Sequence, residues 1–208
     1  MLEMGNNVLK HLKTILIHKY WVGKYCFKAG LYWRGITHDL SKFSPTEFRE
    51  SVVFYTGDAS PIDTAKKKQG YSLAWFHHCG RNDHHHIYWV DNIDEGGIAI
   101  KMPFDCAIEM ICDYLGAARA YLGDSFSYKK EWDWWNSKSG TMKMNMWTKE
   151  LVEVALMAMA VSGNEKFLEK IADDAKLRKV YEDGDSFALF RYELVRRKIN
   201  FEWRRWGK

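Results

Sequence analysis

The chain has 208 residues, of which 47% are hydrophobic, 15% aromatic and 28% charged. That composition excludes a disordered linker and a collagen-like fibre, and the length suits one domain with a sizeable core. The balance of 31 basic and 27 acidic side chains, net +4, is too mild to imply nucleic-acid binding.

Only three prolines occur, at 45, 61 and 103, which leaves long stretches free to be helical. The four cysteines (26, 79, 106, 112) form no Cys-x-x-Cys pair, so reduced thiols and a cytoplasmic setting are expected. No run of about 18 apolar residues exists to span a membrane, and the N-terminus does not read as a signal peptide.

The first predicted helix covers 6–29. Asn6 or Asn7 would cap it, Val8, His11, Ile15, His18, Val22, Tyr25 and Ala29 share one face, and Gly30 would end it. A short helix over 31–41 follows. Ser44-Pro45-Thr46-Glu47 then signals a helix start, with Ser44 as cap, Pro45 at the first helical position and Glu47 completing a capping box. That helix is expected to run to about Tyr55.

Residues 57–71, with Gly57, Pro61, Gly70 and the run Lys66-Lys67-Lys68, read as a solvated loop. A helix begins near Ser72, carries Trp75, His77 and His78, is disturbed at Gly80 and resumes over 82–86. Residues 87–102 predict a small hairpin or irregular arm turning at Asp94–Gly97. Pro103 opens a helix to Leu122. Residues 123–145, with Trp132, Trp134 and Trp135, read as a lid or packing loop. Helices over 147–161, 165–181 and 186–204 finish the chain, the middle one capped by Asn164 and ended before Gly184. The basic end (Arg196, Arg197, Lys198, Arg204, Arg205) reads as a solvated helix terminus. The expected architecture is mostly α, a single helical domain over 1–208, with a metal-site core over 11–122 and C-terminal helices over 147–204.

All eight histidines lie between residues 11 and 86, five of them within 77–86. Imidazole suits proton transfer near neutral pH and transition-metal binding. The sequence His38-Asp39-Leu40-Ser41-Lys42 carries most weight. His18 stands upstream on the inward stripe of the first helix. Glu109 and Asp113 lie downstream, one turn apart on one helix face, beside Gly116, Ala117 and Ala120. A carboxylate buried there must be paired, hydrogen-bonded or metal-bound.

The order His18, His38-Asp39, Asp113 resembles the HD-domain metal-dependent phosphohydrolases. His-Asp-x-x-Lys, with His77 or His78 and then His84, His85 and His86 in the interval before Asp113, is similar to the subgroup that hydrolyses cyclic dinucleotides. The Gly-Tyr-Pro signature of that subgroup is missing from the sequence. A closer likeness, through His18–Val22, His38–Phe48, Ala74–His78, Asn82–Trp89, Met102-Pro103 and Glu109–Asp113, is to a family of small uncharacterised bacterial and phage proteins.

The resemblance implies an HD-like helical bundle holding one or two divalent transition-metal ions (Mn, Fe, Ni or Co). The implied ligands are His18, His38, Asp39, His77, His84, His85 and Asp113. Lys42 would hold a phosphate, and Glu109 would orient a histidine or act as a base. The implied activity is hydrolysis of a nucleotide or related phosphate ester. The same ligands would serve a di-iron oxygenase of the HD fold, such as the inositol oxygenases, or a non-catalytic, metal-stabilised nucleotide- or protein-binding domain. The expected partner is a small phosphorylated substrate, with neither membrane nor nucleic acid; a homo-oligomer stays an open reading.

Overall fold

The computed structural model describes the backbone of residues 2–57 and 59–206, and the side chains of 7–57 and 59–202. Among these, eleven α-helices and one two-stranded antiparallel arm make up the regular structure, a mostly α architecture. No helix among the described residues is long and apolar enough to cross a membrane.

Helix α1 (Leu2–Lys28) begins upstream of its expected caps, so Asn6 and Asn7 fall inside it; the side chain of Asn6 lies outside the described residues. Its buried stripe is His11, Ile15, His18, Val22, Tyr25 and, just past the end, Ala29, whereas Val8 is exposed. Gly30 turns the chain at φ +73°.

The expected helix 31–41 is broken. α2 (Tyr32–Thr37) stops at His38, Asp39 takes a left-handed backbone at φ 56°, and a 3-10 turn follows over Leu40–Phe43. Aspartate is among the few side chains that tolerate this conformation. In a continuous helix, His38 and Asp39 would point about 100° apart; the break turns both into one crevice.

In α3 (Pro45–Val53), Ser44 accepts the Glu47 N–H as expected. The reciprocal half of the capping box is not made, because the Glu47 carboxylate is bound to histidines described below. Residues 57–71 are not simply loop. They contain α4 (Pro61–Gln69), in which Pro61 occupies the first turn, Thr64 and Ala65 are buried and Gly70 closes the end at φ +84°. The proline is a helix start here, not a breaker.

α5 (Leu73–Cys79) is capped by Ser72, which accepts the Trp75 N–H. A 3-10 turn over His86–Trp89 leads into the arm, where β1 (Val90–Asp91) pairs with β2 (Ile98–Ala99) in the register Val90↔Ala99.

α6 (Phe104–Leu122) is the central helix. Every residue from Cys106 to Asp113 is buried, so neighbours surround it on all sides. α1 lies directly against it. A β-carbon added at Gly116 would stand 2.3 Å from Val22 Cγ2 and 3.0 Å from the Val22 amide nitrogen. Only glycine permits that approach.

The expected lid loop contains α7 (Tyr128–Lys138), capped by Ser127 and burying Tyr128, Glu131 and Trp135 at helical spacing. The Trp135 side chain is fully buried and Trp134 is exposed. α8 (Met146–Ser162) follows. The expected helix 165–181 is two helices, α9 (Lys166–Ala172) and α10 (Ala175–Asp183). Asp173 ends the first, and Asp174 caps the second by accepting the Leu177 N–H at 2.9 Å. Asn164 stands one residue before the cap position of α9, yet its side chain caps the helix as expected by accepting the Lys166 N–H at 3.0 Å. α11 (Phe187–Trp206) closes the chain; the side chains of Arg204 and Arg205 lie outside the described residues. A continuous apolar core joins α1, α6, α8 and the C-terminal helices. All four cysteines are free and buried.

Candidate metal centre

Three segments converge on α6. α1 supplies His18, the break after α2 supplies His38 and Asp39, and α5 with the following turn supplies His78, His84 and His85. α6 supplies Asp113 and Glu109. All eight side chains are buried, although the sequence spreads them over nearly a hundred positions.

They form overlapping metal-sized groups: two of four residues share Asp39, and a smaller one joins His38, His84 and Glu109. His18, His38, Asp39 and Asp113 each offer a ligand atom within 4.8 Å of the others, and so do Asp39, His78, His84 and His85. Asp39 divides its oxygens between them. Oδ2 lies 3.0 Å from His18 Nε2 and 3.2 Å from His38 Nε2, while Oδ1 lies 3.3 Å from His78 Nε2 and 3.4 Å from His84 Nε2. Asp113 Oδ1 completes the first group, 3.2 Å from His18 Nε2 and 3.4 Å from His38 Nε2.

Two carboxylates stand behind the imidazoles. Glu109 Oε1 accepts from His38 Nδ1 at 2.8 Å and lies 3.3 Å from His84 Nδ1. Glu47 Oε2 accepts from His78 Nδ1 at 2.8 Å. Each contact occupies Nδ1 and leaves Nε2 facing the cluster, the tautomer a metal ligand needs. Glu109 is itself held by Arg34, whose guanidinium also grips Asp83 through bonds of 2.9 and 3.0 Å.

The charges are strongly coupled. Burial lowers the His38 pKa, but Asp39, Asp113 and Glu109 outweigh it and hold that ring well above its ordinary value. Against the same burial, Asp39 and Glu109 raise His84 to about 9. Burial pushes Glu109 up, yet bonds from His38 and His84 bring it down to about 2. His85 goes the other way, lowered by burial and then by His84 and His78. The protein thus gathers anionic oxygens and basic nitrogens that protons alone satisfy poorly.

The donor set fits divalent cations on direct observations. Asp39 Oδ1 and His84 Nε2 are buried with no hydrogen-bond partner. His78 Nε2 and His85 Nε2 face each other at 2.8 Å, and His18 Nε2 and His38 Nε2 at 3.3 Å. Such opposed ring nitrogens are what ligands of one ion look like. Mixed imidazole and carboxylate donors suit Mn, Fe, Co, Ni or Zn rather than Ca.

Above the clusters opens a cavity of about 550 Å³, lined by His18, His85, Asp113, Lys42, Trp75 and Tyr121 among others. That volume suits a small-molecule ligand. The Lys42 ammonium pairs with Asp39 Oδ2. Burial lowers its pKa, but Asp39 and Asp113 prevail and keep it above the ordinary value.

A family model matches residues 7–181, and its description is a family of unknown function, DUF5662. The chain belongs to DUF5662. No curated protein and no solved structure matches it. The DUF5662 match takes in both clusters, Glu47, Glu109 and all of α7.

Of the residues singled out from sequence, His18, His38, Asp39, His84, His85 and Asp113 come together in this DUF5662 chain. His77 does not. Its Nδ1 contacts Glu47 Oε1 at 2.7 Å outside the clusters, and His78 occupies the position assigned to it. Glu109 sits behind the histidines, 3% exposed, in contact with His38 and His84 and outside the lining of the cavity. His86 lines the cavity outside the clusters, and His11 packs against Phe48 and Tyr55.

Sequence reasoning missed Glu47, Arg34, Asp83 and Glu131. Glu47 was hidden by its fit to a capping box, although it belongs to the same dense motif as His38 and Lys42. Glu109→Gln is expected to lower metal affinity about 10- to 100-fold, the usual loss when a partner orienting a ligand is removed. Titration with the metal, followed by calorimetry, measures it; unchanged affinity would assign Glu109 to packing alone.

Proposed function

We propose that this protein is a metal-dependent phosphohydrolase of the HD type, acting on a nucleotide or related small phosphate ester. The observation that carries the reading is Asp39, whose two oxygens face two separate imidazole clusters while Lys42 stands over the same carboxylate. A carboxylate so placed would hold two cations side by side. Cations bound there would lower the pKa of water and neutralise phosphoryl charge. The order His18, His38-Asp39, Asp113 agrees with the HD pattern, and the helical fold is compatible with it.

The protein's own groups have distinct tasks in this reading. His18, His38, Asp39 and Asp113 would hold one cation, and Asp39, His78, His84 and His85 the other. Glu47 and Glu109 keep the histidine Nε2 atoms aimed inward. Lys42 meets a phosphoryl oxygen at the cavity floor. Trp75 and Tyr121 give the cavity an apolar wall for the rest of the substrate and restrict water.

Metal analysis of the purified chain, then a phosphate-release screen with that metal, tests the proposal. Iron with an O₂-sensitive spectrum and no phosphate release would favour the oxygenase reading instead. Lys42→Met is expected to keep bound metal and lower phosphate release about 10²- to 10³-fold, the usual effect of removing one group that stabilises developing charge. Full release by the variant would deny Lys42 its phosphate role.

A further inference from the structure

One buried carboxyl group in the cavity has no task in the proposed hydrolysis. Glu131 lies on α7, outside the span that supplies the metal clusters, and is 5% exposed. It lines the same cavity as Lys42, His18 and Asp113. No ion pair or side-chain hydrogen bond reaches its carboxyl among the described residues. The neighbouring Lys130 ammonium is engaged with the Ser125 carbonyl at 2.7 Å.

An ionised carboxylate left in such a place costs several kcal/mol, roughly, so it neutralises itself or meets a ligand. Burial, reinforced by Asp113, pushes the Glu131 pKa up to about 8. Burial, the larger of the two causes, acts whether or not the charge of Asp113 is neutralised, so the buried group favours its proton. A neutral carboxyl beside a hydrolytic centre is a proton donor in waiting.

We propose that Glu131 is the general acid that protonates the leaving-group oxygen, an inference that rests on the phosphohydrolase reading of this site. In the step, a water oxygen forms the new bond to phosphorus. The bond from phosphorus to the ester oxygen breaks, and its electron pair stays on that oxygen. The Glu131 proton passes to the same oxygen, releasing an alcohol and leaving a carboxylate. The proton lost by the attacking water restores the carboxyl. Atoms and charge balance with water as the only co-reactant.

The test compares two esters on the metal-loaded, full-length chain. Ethyl phosphate has a poor leaving group that needs a proton; p-nitrophenyl phosphate has a good one that does not. Glu131→Gln is expected to lower ethyl phosphate turnover about 10²-fold or more, to leave p-nitrophenyl phosphate within a few-fold, and to keep metal content unchanged. The infrared spectrum of the wild type at neutral pH should contain a protonated carboxyl band that the variant lacks.

Equal losses on both esters, no loss on either, or the absence of that band would overturn the acid role while leaving the hydrolase reading intact. No turnover of either ester by the wild type would overturn the hydrolase reading and the acid role with it. If Glu131→Gln does not fold, Glu131→Asp, which keeps the acid but withdraws it by one methylene, must lose ethyl phosphate turnover selectively; an equal loss on both esters counts against the proposal.

Discussion

Asp39→Asn is expected to lose cation from both clusters and to reduce turnover by about 10³-fold or more, roughly 4 kcal/mol of barrier. The substitution is chosen for its backbone. Position 39 sits at φ 56°, where asparagine is as tolerant as aspartate and alanine is not. The fold should therefore survive, and the loss reports the carboxylate itself. An amide offers one oxygen and one NH₂. Whichever cluster receives the NH₂ meets a donor where it needs an acceptor, and both clusters lose the negative charge they share. Elemental analysis beside circular dichroism checks the result. Two ions per folded variant chain would end the role of Asp39 as a bridge.

Stripping metal from the wild type is expected to cost more stability than most single substitutions. A ligand at a thousand times its Kd stabilises the folded state by about 4.1 kcal/mol per site. For a chain of this size each kcal/mol moves Tm by about 2–4 °C. Chelation should thus lower Tm by roughly 8–16 °C for one site lost, and more for two. The fall should grow with pH. In the metal-free protein His84 is held up to about 9 by Asp39 and Glu109 against the effect of burial. A raised histidine pKa contributes stability that is complete below about 6.5 and is lost as pH rises through about 9. Protons also compete with metal for imidazole at low pH. Both effects widen the gap between metal-loaded and metal-free protein from pH 6 towards pH 9. Thermal melts with and without chelator over that range check it; a gap that narrows with rising pH would contradict the ligand assignment.

What the sequence revealed about this site was its periodicity and its dense motif. His18 sits on a stripe that repeats every three or four residues down α1, so its inward direction was readable. Ser44 and Pro45 marked a helix start by local chemistry alone. The break at Asp39 was not readable, because aspartate is compatible with both a helix and a left-handed turn. The choice between His77 and His78 was equally hidden. Neighbours on a short helix point about 100° apart, and only the packing of α5 against α3 decides which ring faces inward.

Two helices were obscured by their composition. α4 begins with Pro61 and ends in three lysines and a glycine, which imitates a loop. α7 mixes lysines, acids and tryptophans, so Tyr128, Glu131 and Trp135 did not stand out as one buried face. Glu131 was passed over for the same reason. Nothing in its local sequence separates it from an exposed acid, and its burial comes from α7 folding over a cavity built by distant segments.

The contact between Gly116 and Val22 sets a tolerance for the whole centre. His18 lies four residues before Val22 on α1, and Asp113 lies three before Gly116 on α6. The two helices therefore act as the jaws of a caliper, and the missing methyl at position 116 is the shim that fixes their gap. A jaw moved outward by even half an ångström would stretch the 3.2 Å contact of His18 with Asp113, which runs directly between these helices, while leaving the second cluster, to which neither helix supplies a ligand, at its original span. The two halves of the centre meet at Asp39 but are held by different contacts. One depends on how closely two long helices press together, the other on α5 and a short turn of five consecutive residues, Asn82–His86, anchored by Arg34 at Asp83.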